Sequence, residues 1–284
     1  MRVTKADAVS LRKHLEGFSL KGSNPEEWKN YLNFSLDRIL KTLELIPDGI
    51  GPQSRVLELG ASPYFMSLLL SHCFSCAPEY ANYFGKGASG IDLLIEAASG
   101  RKKRMTYLHF NVERDRFPCP SNAYDLVLCC EIIEHLTEDP VHMLVEINRV
   151  LKRGGRLIIT TPNALRYENI IKLILGRNIY DHYSGYGPYG RHNREYTPRE
   201  LRMLVEGLGF EVERLYTKVT GSMDVKGFTI KRFRGLIQLF TTANRGGSIF
   251  LLARKKADAE AVYPPWLFQS MHVRHGSGKR KAAR

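Results

Sequence analysis

The chain has 284 residues, of which 43% are hydrophobic and 25% are charged, a composition typical of a globular protein with one large domain. Lys and Arg outnumber Asp and Glu by 42 to 29, but residues 225–284 hold 13 basic and 2 acidic side chains, so 11 of the 13 net positive charges lie there. The longest uncharged stretch, 59–78, contains glycine, proline and histidine, and the first residues lack an apolar run. Neither a membrane span nor a signal peptide is predicted, and we expect a cytoplasmic protein.

Helical and extended patterns alternate along the chain. The first clear helix, 25–46, begins with the helix-start residues Asn24 and Pro25 and has apolar side chains at helical spacing. Short apolar strands are predicted at 55–60, up to a polar end near 82, and at 107–111, 124–130, 156–160, 210–216 and 248–253. Further helices are predicted at 64–71, 140–151 and 197–208.

This alternation predicts an α/β protein with a Rossmann-like, doubly wound sheet of seven mostly parallel strands and helices on both faces. The last two strands have no clear crossover helix between them, so we expect them to form an antiparallel pair at one edge. We assign 1–50 to an N-terminal helical segment, 51–257 to the main domain with a substrate-cap insertion near 163–196, and 258–284 to a basic, partly disordered tail.

A glycine turn follows the first strand of the main domain, in the segment Val56-Leu-Glu-Leu-Gly-Ala-Ser-Pro-Tyr64. A strand that ends in glycine and opens into a helix places backbone N–H groups and a helix N-terminus against a ligand. Because Gly60 is followed by Ala-Ser-Pro, the pattern G-x-G-x-x-G is absent. Dinucleotide binding is therefore disfavoured.

Five pieces of the sequence, in this order and spacing, resemble the class I S-adenosylmethionine-dependent methyltransferases. They are VLELGAS, the strand with a polar end near residue 82, NVERD, DLVLCCEIIEHL and RVLKRGGRLIITTPN. The resemblance covers roughly residues 50–255. It implies a Rossmann-like fold, S-adenosylmethionine as the cofactor and methyl transfer as the reaction.

The resemblance also implies which side chains contact the cofactor. Those beside its methionine part are Glu58, Gly60 and Ala61, those beside its adenine are Asn111 and Val112, and the residue facing the cofactor or the substrate is Glu131. Two residues compete for the ribose hydroxyls. We favour Asn82, which lies 22 residues after Gly60, over Asp92, which lies 32 residues after it, with 85–91 as an insertion. An amide can hydrogen-bond a diol, but without the charge of a carboxylate.

A second group of polar residues follows the strand at 124–130. If a helix begins there, Glu131, Glu134 and His135 fall at positions i, i+3 and i+4 on one face. Two carboxylates and an imidazole suit a divalent metal such as Mg²⁺ or Mn²⁺. His192 supplies a second imidazole in the piece His192-Asn-Arg-Glu-Tyr-Thr197.

These two pieces resemble those of known O-methyltransferases. The E-x-x-E-H piece is similar to that of small-RNA terminal 2′-O-methyltransferases and ubiquinone-pathway O-methyltransferases, and the RNA enzymes share the H-x-x-E-aromatic-Thr piece. The resemblance implies a metal set of Glu131, Glu134, His135 and His192. Because an alcohol is a poor nucleophile near pH 7, a base or metal must help remove its proton. We assign that task to His135 or His192, with Glu131 and Glu134 assisting or binding the metal. Alternatively, Glu134 only orients a loop, His135 packs in the core and His192 caps the following helix.

The segment 178–190 contains four tyrosines and predicts a loop over the methyl acceptor, or else a self-packed surface loop. Tyrosine rings stack on sugars and bases and hydrogen-bond hydroxyls. This segment is also similar to that of bacterial methyltransferases of surface-glycan and related small-molecule pathways. We therefore expect a small-molecule or glycan acceptor.

Residues 228–240 have apolar side chains on one helical face and basic side chains beside it. This pattern is typical of a peripheral contact with an anionic membrane, here at its inner face, or of a lid packed on the sheet. Two alternative functions remain open: a nucleic-acid-directed enzyme that methylates RNA 2′-hydroxyls, and a non-catalytic protein that keeps the methyltransferase fold. The sequence leaves the oligomeric state undefined.

Overall fold

The computed structural model describes residues 3–85, 90–220 and 244–268. The strands are β1 (Phe18–Leu20), β2 (Val56–Leu59), β3 (Glu79–Asn82), β4 (Ile91–Glu96), β5 (Lys102–His109), β6 (Tyr124–Cys130), β7 (Leu151–Pro162), β8 (Phe210–Lys218) and β9 (Ser248–Lys255). The α-helices are α1 (Lys5–Glu16), α2 (Pro25–Leu43), α3 (Phe65–Phe74), α4 (Pro140–Val150), α5 (Tyr167–Ile174) and α6 (Pro198–Glu206).

Within these residues the strands form one sheet in the order β1-β4-β5-β3-β2-β6-β7-β9-β8. The five strands from β5 to β7 pair in parallel, and β9 and β8 add to β7 as an antiparallel pair. The seven-stranded, mostly parallel sheet and its antiparallel edge are thus confirmed. Two further antiparallel strands, β4 and β1, extend the opposite edge and bring the total to nine.

Local signals explain where the helices begin. Asn24 caps α2 by accepting a hydrogen bond from the Glu26 N–H at 2.9 Å, and Pro25 occupies the first turn. Thr197 and Glu200 form a reciprocal capping box at the start of α6. α2 ends at Leu43, three residues before the predicted limit, where the chain turns towards β2.

The core lies on both faces of the central strands. Leu57 and Leu59 of β2 belong to the apolar cluster on one face, and Val56 belongs to the cluster on the other. β6 divides its side chains in the same way, with Val127 in the first cluster and Leu128 in the second. Alternate residues of a strand point to opposite faces, so these two apolar clusters cover both faces of the sheet. Only the ends of the strands remain free for ligands.

The chain after β9 packs on this domain before the description ends at residue 268. The Tyr263 hydroxyl donates to Asp139 Oδ2 at 2.8 Å, and the Ala259 N–H donates to Asn148 Oδ1 at 3.1 Å. Part of the segment assigned to the tail is therefore docked on the sheet domain. The amphipathic segment 228–240 and residues 269–284 lie outside the described residues. Among the helices that are described, none has the length and apolarity needed to cross a membrane.

Candidate active site

The glycine turn after β2 brings the backbone close to the segment that follows β6. Gly60 has φ of +61°, and its N–H donates to the Ala81 carbonyl at 2.8 Å. A Cβ atom at this position would lie 3.0 Å from Cδ1 of Ile132. The backbone conformation favours glycine, and any larger residue would also require the Ile132 side chain to shift.

A cavity of about 260 Å³, which we call the inner cavity, opens beside this turn at the carboxyl ends of β2, β3 and β6. Its lining residues are Gly60, Ala81, Asn82, Tyr83, Phe110, Asn111, Val112, Glu131, Ile132, His135, Leu136 and Tyr189. An apolar wall with amide groups suits a nucleoside, which has a flat base and a hydroxylated ribose. The residues therefore fit the adenosine part of S-adenosylmethionine.

Five of the residues assigned to the cofactor line this cavity; they are Gly60, Asn82, Asn111, Val112 and Glu131. Glu58 and Ala61 are buried beside it and are not among its lining residues. Glu58 instead accepts a hydrogen bond from the Ser67 hydroxyl of α3. Burial raises the pKa of Glu58 to about 8, although the hydrogen bond from Ser67 acts in the opposite direction.

Of the two candidates for binding the ribose, one lines the inner cavity and the other does not. Asn82 lines the inner cavity, whereas Asp92 of β4 is not among its lining residues and accepts the Tyr64 hydroxyl at 2.5 Å. The Asn82 amide accepts the Ser62 N–H at 3.0 Å and donates to the Tyr64 hydroxyl at 3.0 Å. These bonds hold the Asn82 side chain at the edge of the glycine turn.

A second cavity, the outer cavity, has a volume of about 930 Å³ and shares Glu131 and His135 with the inner one. Its wall combines the exposed side of α2, the end of β7, α5, the start of β9 and the loop that follows α5. Tyr180 and Tyr183 of that loop line it with rings that are 77% and 91% exposed. The same loop reaches the inner cavity, where the Tyr189 hydroxyl accepts from Asn111 at 3.0 Å.

Glu131 lies at the junction of the two cavities, but not on a helix. β6 ends at Cys130, and Glu131 has φ of +54°, so the expected helical face shared with Glu134 and His135 does not form. A single 3₁₀ turn, Ile133–His135, follows instead. One carboxylate oxygen of Glu131 pairs with Arg38 of α2 at 3.1 Å, and the other accepts the Thr160 hydroxyl at 2.9 Å.

The structure brings Glu134, His135 and His192 together, with one ligand atom of each within 4.8 Å of the others. Glu131, the fourth residue assigned to the metal, is not part of this cluster. Glu134 is fully buried; its Oε2 accepts the Thr161 hydroxyl at 2.9 Å, while Oε1 has no hydrogen-bond partner among the described residues. Burial, and then the nearby Glu131, raise the pKa of Glu134 well above its ordinary value. A buried carboxylate oxygen without a partner beside two imidazoles fits a divalent cation.

The hydrogen bonds of the two imidazoles define their tautomers. Nδ1 of His135 lies 2.9 Å from the Arg191 carbonyl, and Nδ1 of His192 lies 3.1 Å from Oε1 of Glu195. Since a carbonyl and a carboxylate only accept, each Nδ1 carries the proton, and a neutral ring keeps its lone pair on Nε2. Burial, and then His192, lower the pKa of His135, which favours its neutral form.

Four residues that support this site are not predicted from the sequence. Arg38 pairs with Glu131, the Tyr189 hydroxyl accepts from Asn111, Glu195 accepts from His192, and Glu113 accepts the backbone N–H of Thr137. Glu195 had a signal, because it lies three residues after His192 in the H-x-x-E-Y-T piece. Burial would raise the pKa of Glu195, but hydrogen bonds from His192 and Arg166 lower it to about 2. Glu195 is therefore a carboxylate that orients His192, as residues behind a metal ligand do.

The fold and the sequence family together define this chain as a class I S-adenosylmethionine-dependent methyltransferase. Residues 28–215 match the sequence profile of a family described as a methyltransferase domain, and the chain belongs to that family. The family implies S-adenosylmethionine as the cofactor.

Relatives and solved structures agree with this assignment. The chain is 31% identical over 166 residues to a probable S-adenosylmethionine-dependent methyltransferase from Mycolicibacterium smegmatis, covering 58% of this chain and 52% of that protein. It is 27% identical over 140 residues to the ubiquinone biosynthesis O-methyltransferase of Rickettsia canadensis, covering 46% and 56%. The chain thus spans about half the length of these curated relatives. Its fold is similar to the crystal structure of an S-adenosylmethionine-dependent methyltransferase from Archaeoglobus fulgidus, with a TM-score of 0.51, 17% identity, and coverage of 81% and 99%.

Proposed function

We propose that this chain transfers the methyl group of S-adenosylmethionine to a hydroxyl group of a sugar, a glycan or a related small-molecule intermediate. The observation that carries the proposal is the junction of the two cavities at Glu131 and His135. Cofactor in the inner cavity and acceptor in the outer cavity would meet there, beside the cluster of Glu134, His135 and His192. Two of the relatives' names, for ubiquinone biosynthesis and malonyl-[acyl-carrier protein], also denote O-methyltransferases.

In the proposed reaction the oxygen–methyl bond forms as the methyl–sulfur bond breaks, and the hydroxyl proton leaves. Alignment of the two reactants is the first task of the protein, and the cavity walls at the junction perform it. In the site without a cation, Nε2 of His135 or His192 is the atom that accepts the proton, since Nδ1 of each ring is held by a carbonyl or a carboxylate. A cation bound to the two rings would use the same Nε2 lone pairs, so metal assistance is the alternative to a histidine base.

A divalent cation would be held by Glu134, His135 and His192. When bound, such a cation acidifies a hydroxyl group and orients it. A bound cation would keep Glu134 ionised, and Glu195 and the Arg191 carbonyl hold the two imidazoles in the orientation that the cation would need.

The preference for a sugar rests on the tyrosines of the loop after α5. Tyr180 and Tyr183 present exposed rings to a cavity large enough for a sugar with a further group attached. Aromatic rings of this kind stack on the apolar faces of sugars, and their hydroxyls bind polar groups. RNA is the second candidate acceptor, because the Glu134–His135–His192 cluster is the feature that resembles the small-RNA enzymes.

The first experiment is calorimetric titration of the full chain with S-adenosylmethionine and S-adenosylhomocysteine. We expect micromolar binding that Asn111→Ala weakens at least fivefold, because Asn111 lines the inner cavity. Asn30→Ala, at an exposed position of α2, is the matched control and should leave the affinity unchanged. A folded protein that binds neither compound would overturn the enzyme proposal in favour of the non-catalytic alternative.

A methyl-transfer assay with labelled S-adenosylmethionine then separates the acceptors. Incorporation into sugar phosphates or glycans supports the proposal, whereas incorporation into RNA alone supports the second candidate. His135→Ala and His192→Ala should each abolish a dependence on divalent ions. Activity that never responds to divalent ions or chelators would show that the cluster does not act through a metal.

A further inference from the structure

Most charged side chains in the wall of the outer cavity are engaged with other side chains. Glu131 pairs with Arg38 at 3.1 Å, and Arg166, the N-cap residue of α5, pairs with Glu168 at 3.3 Å and with Glu195. Asp181 lies 3.6 Å from Nδ1 of His192 and accepts the backbone N–H of that residue at 3.1 Å. These side chains, two guanidinium groups and four carboxylates, are therefore all engaged within the protein rather than free for an incoming ligand.

Two cations in the same wall are not engaged in this way. Lys172 and Arg177 line the outer cavity, and neither has an ion-pair partner within the described part of the chain. Lys172 is half-buried, whereas Arg177 is exposed. Together they place two positive charges, without ion pairs to the described residues, in the cavity that we assign to the acceptor.

The end of α5 holds these two residues beside each other. The Arg177 N–H donates to the Lys172 carbonyl at 2.7 Å, and the Gly176 N–H donates to the Leu173 carbonyl at 3.0 Å. Gly176 has φ of +67°. This pair of bonds around a left-handed glycine is the Schellman ending of a helix, which turns the chain back across its last turn. This helix ending fixes the backbone of Arg177 next to that of Lys172.

We propose that Lys172 and Arg177 bind a phosphoryl group of the methyl acceptor. An arginine fork and a lysine point charge together match the oxygens and the charge of a phosphate. The tyrosines of the same wall would contact the rest of the acceptor, so the substrate class is a phosphorylated sugar or a related phosphate ester. This inference rests on the proposed function, because it assigns the outer cavity to the acceptor.

The experiment titrates the metal-free full chain with inorganic pyrophosphate and follows binding by calorimetry. The test variant is Lys172→Gln/Arg177→Gln, and the matched control is Lys29→Gln/Arg199→Gln, which removes the same two charges from exposed positions outside the cavity. We expect at least fivefold weaker binding in the test variant and no change in the control. Equal binding in the two variants would overturn the proposal, since any effect of pyrophosphate would then be a general response to positive charge.

A parallel titration with succinate separates phosphate from carboxylate chemistry. We expect succinate to bind at least fivefold more weakly than pyrophosphate, and equal affinity would overturn the phosphoryl class. S-adenosylmethionine is titrated into the wild-type chain in the same series. If it binds while the loss of Lys172 and Arg177 has no effect on pyrophosphate, only the phosphoryl site fails. If S-adenosylmethionine does not bind, the proposed function fails, and the assignment of these cations to a methyl acceptor fails with it.

Discussion

His192 donates its Nδ1–H to Oε1 of Glu195 at 3.1 Å, and this bond orients one imidazole of the candidate metal cluster. The second carboxylate oxygen of Glu195 accepts from Arg166 and, at 3.1 Å, from Asn169. Three donors, one in the loop and two at the start of α5, therefore fix this carboxylate, and the carboxylate orients the imidazole. His192 lies beside His135, with the two ring centroids 5.0 Å apart, because Glu195 holds it there.

Glu195→Gln should weaken divalent-ion binding about 10- to 100-fold, the range typical of residues that orient a metal ligand. Glutamine preserves the shape of the side chain but removes the charge that keeps the proton on Nδ1 of His192. Titration with Mn²⁺, followed by calorimetry, measures the effect. Glu168→Gln is the matched control, because Glu168 also pairs with Arg166 but makes no contact with His192. Equal Mn²⁺ affinity in the wild type and Glu195→Gln would contradict this role.

Arg38→Met should lower the free energy of unfolding by about 3 kcal/mol, because it leaves the Glu131 carboxylate without its buried cation. The second substitution, Glu131→Gln, should recover part of this loss in the double variant, since it removes the unpaired charge. Urea denaturation of the four proteins measures the coupling. Arg202→Met, which breaks an exposed ion pair with Glu206, should have no measurable effect. Additive effects of the two substitutions at Arg38 and Glu131 would show that the pair does not act as a unit.

Glu113→Ala should destabilise the fold by about 3 kcal/mol and weaken cofactor binding. The buried Glu113 carboxylate accepts the backbone N–H groups of Thr137, Glu138 and Asp139 at 2.6–2.9 Å, so it anchors the turn between the 3₁₀ segment and α4. Loss of several bonds to a charged acceptor leaves buried donors unpaired. Urea denaturation and the S-adenosylmethionine titration measure the two effects. Glu138→Ala, at an exposed ion pair in the same turn, is the control and should change neither.

The parallel part of the sheet could be predicted because each of its strands has a local signal. β6 is a nearly continuous apolar run, as a strand buried on both faces must be, and the helices between strands carry capping residues. β1 and β4 have no such signal. β1 is three residues long, and its pairing with β4 joins segments more than 70 residues apart. Short antiparallel edges depend on tertiary contacts rather than on a local pattern.

In the candidate site too, features with a local sequence signal could be predicted and contacts between distant segments could not. The glycine turn and the E-x-x-E-H piece are each one continuous stretch of sequence, so their residues could be predicted. The partner of Glu131 could not, because Arg38 lies 93 residues earlier on a helix whose pattern indicates only packing. The left-handed backbone conformation of Glu131 could not be predicted either. It places Glu131 away from the helical face that the sequence spacing predicts. Contacts between distant segments and single backbone angles leave no periodic trace.

The pH dependence of the free energy of unfolding should show that Glu58 is protonated in the folded protein. Burial raises its pKa to about 8 in the folded protein, whereas an unfolded carboxyl has its ordinary value of 4.5. The folded state then holds a proton that the unfolded state releases, so the stabilisation is fully present below pH 4.5 and is lost as the pH rises through 8.

The free energy of unfolding should therefore fall between about pH 5 and pH 8, by up to about 1.4 kcal/mol per pH unit from this one group. Its neighbours Tyr80 and Cys130 do not titrate in this window, because burial raises the pKa of each to about 12. Glu58→Gln should remove this component of the slope and be more stable than the wild type at pH 8. Urea denaturation at pH 5, 6.5 and 8 measures both proteins. Parallel pH profiles for the two would mean that Glu58 is ionised in the fold, and Ser67 would then be bound to a carboxylate rather than to a carboxylic acid.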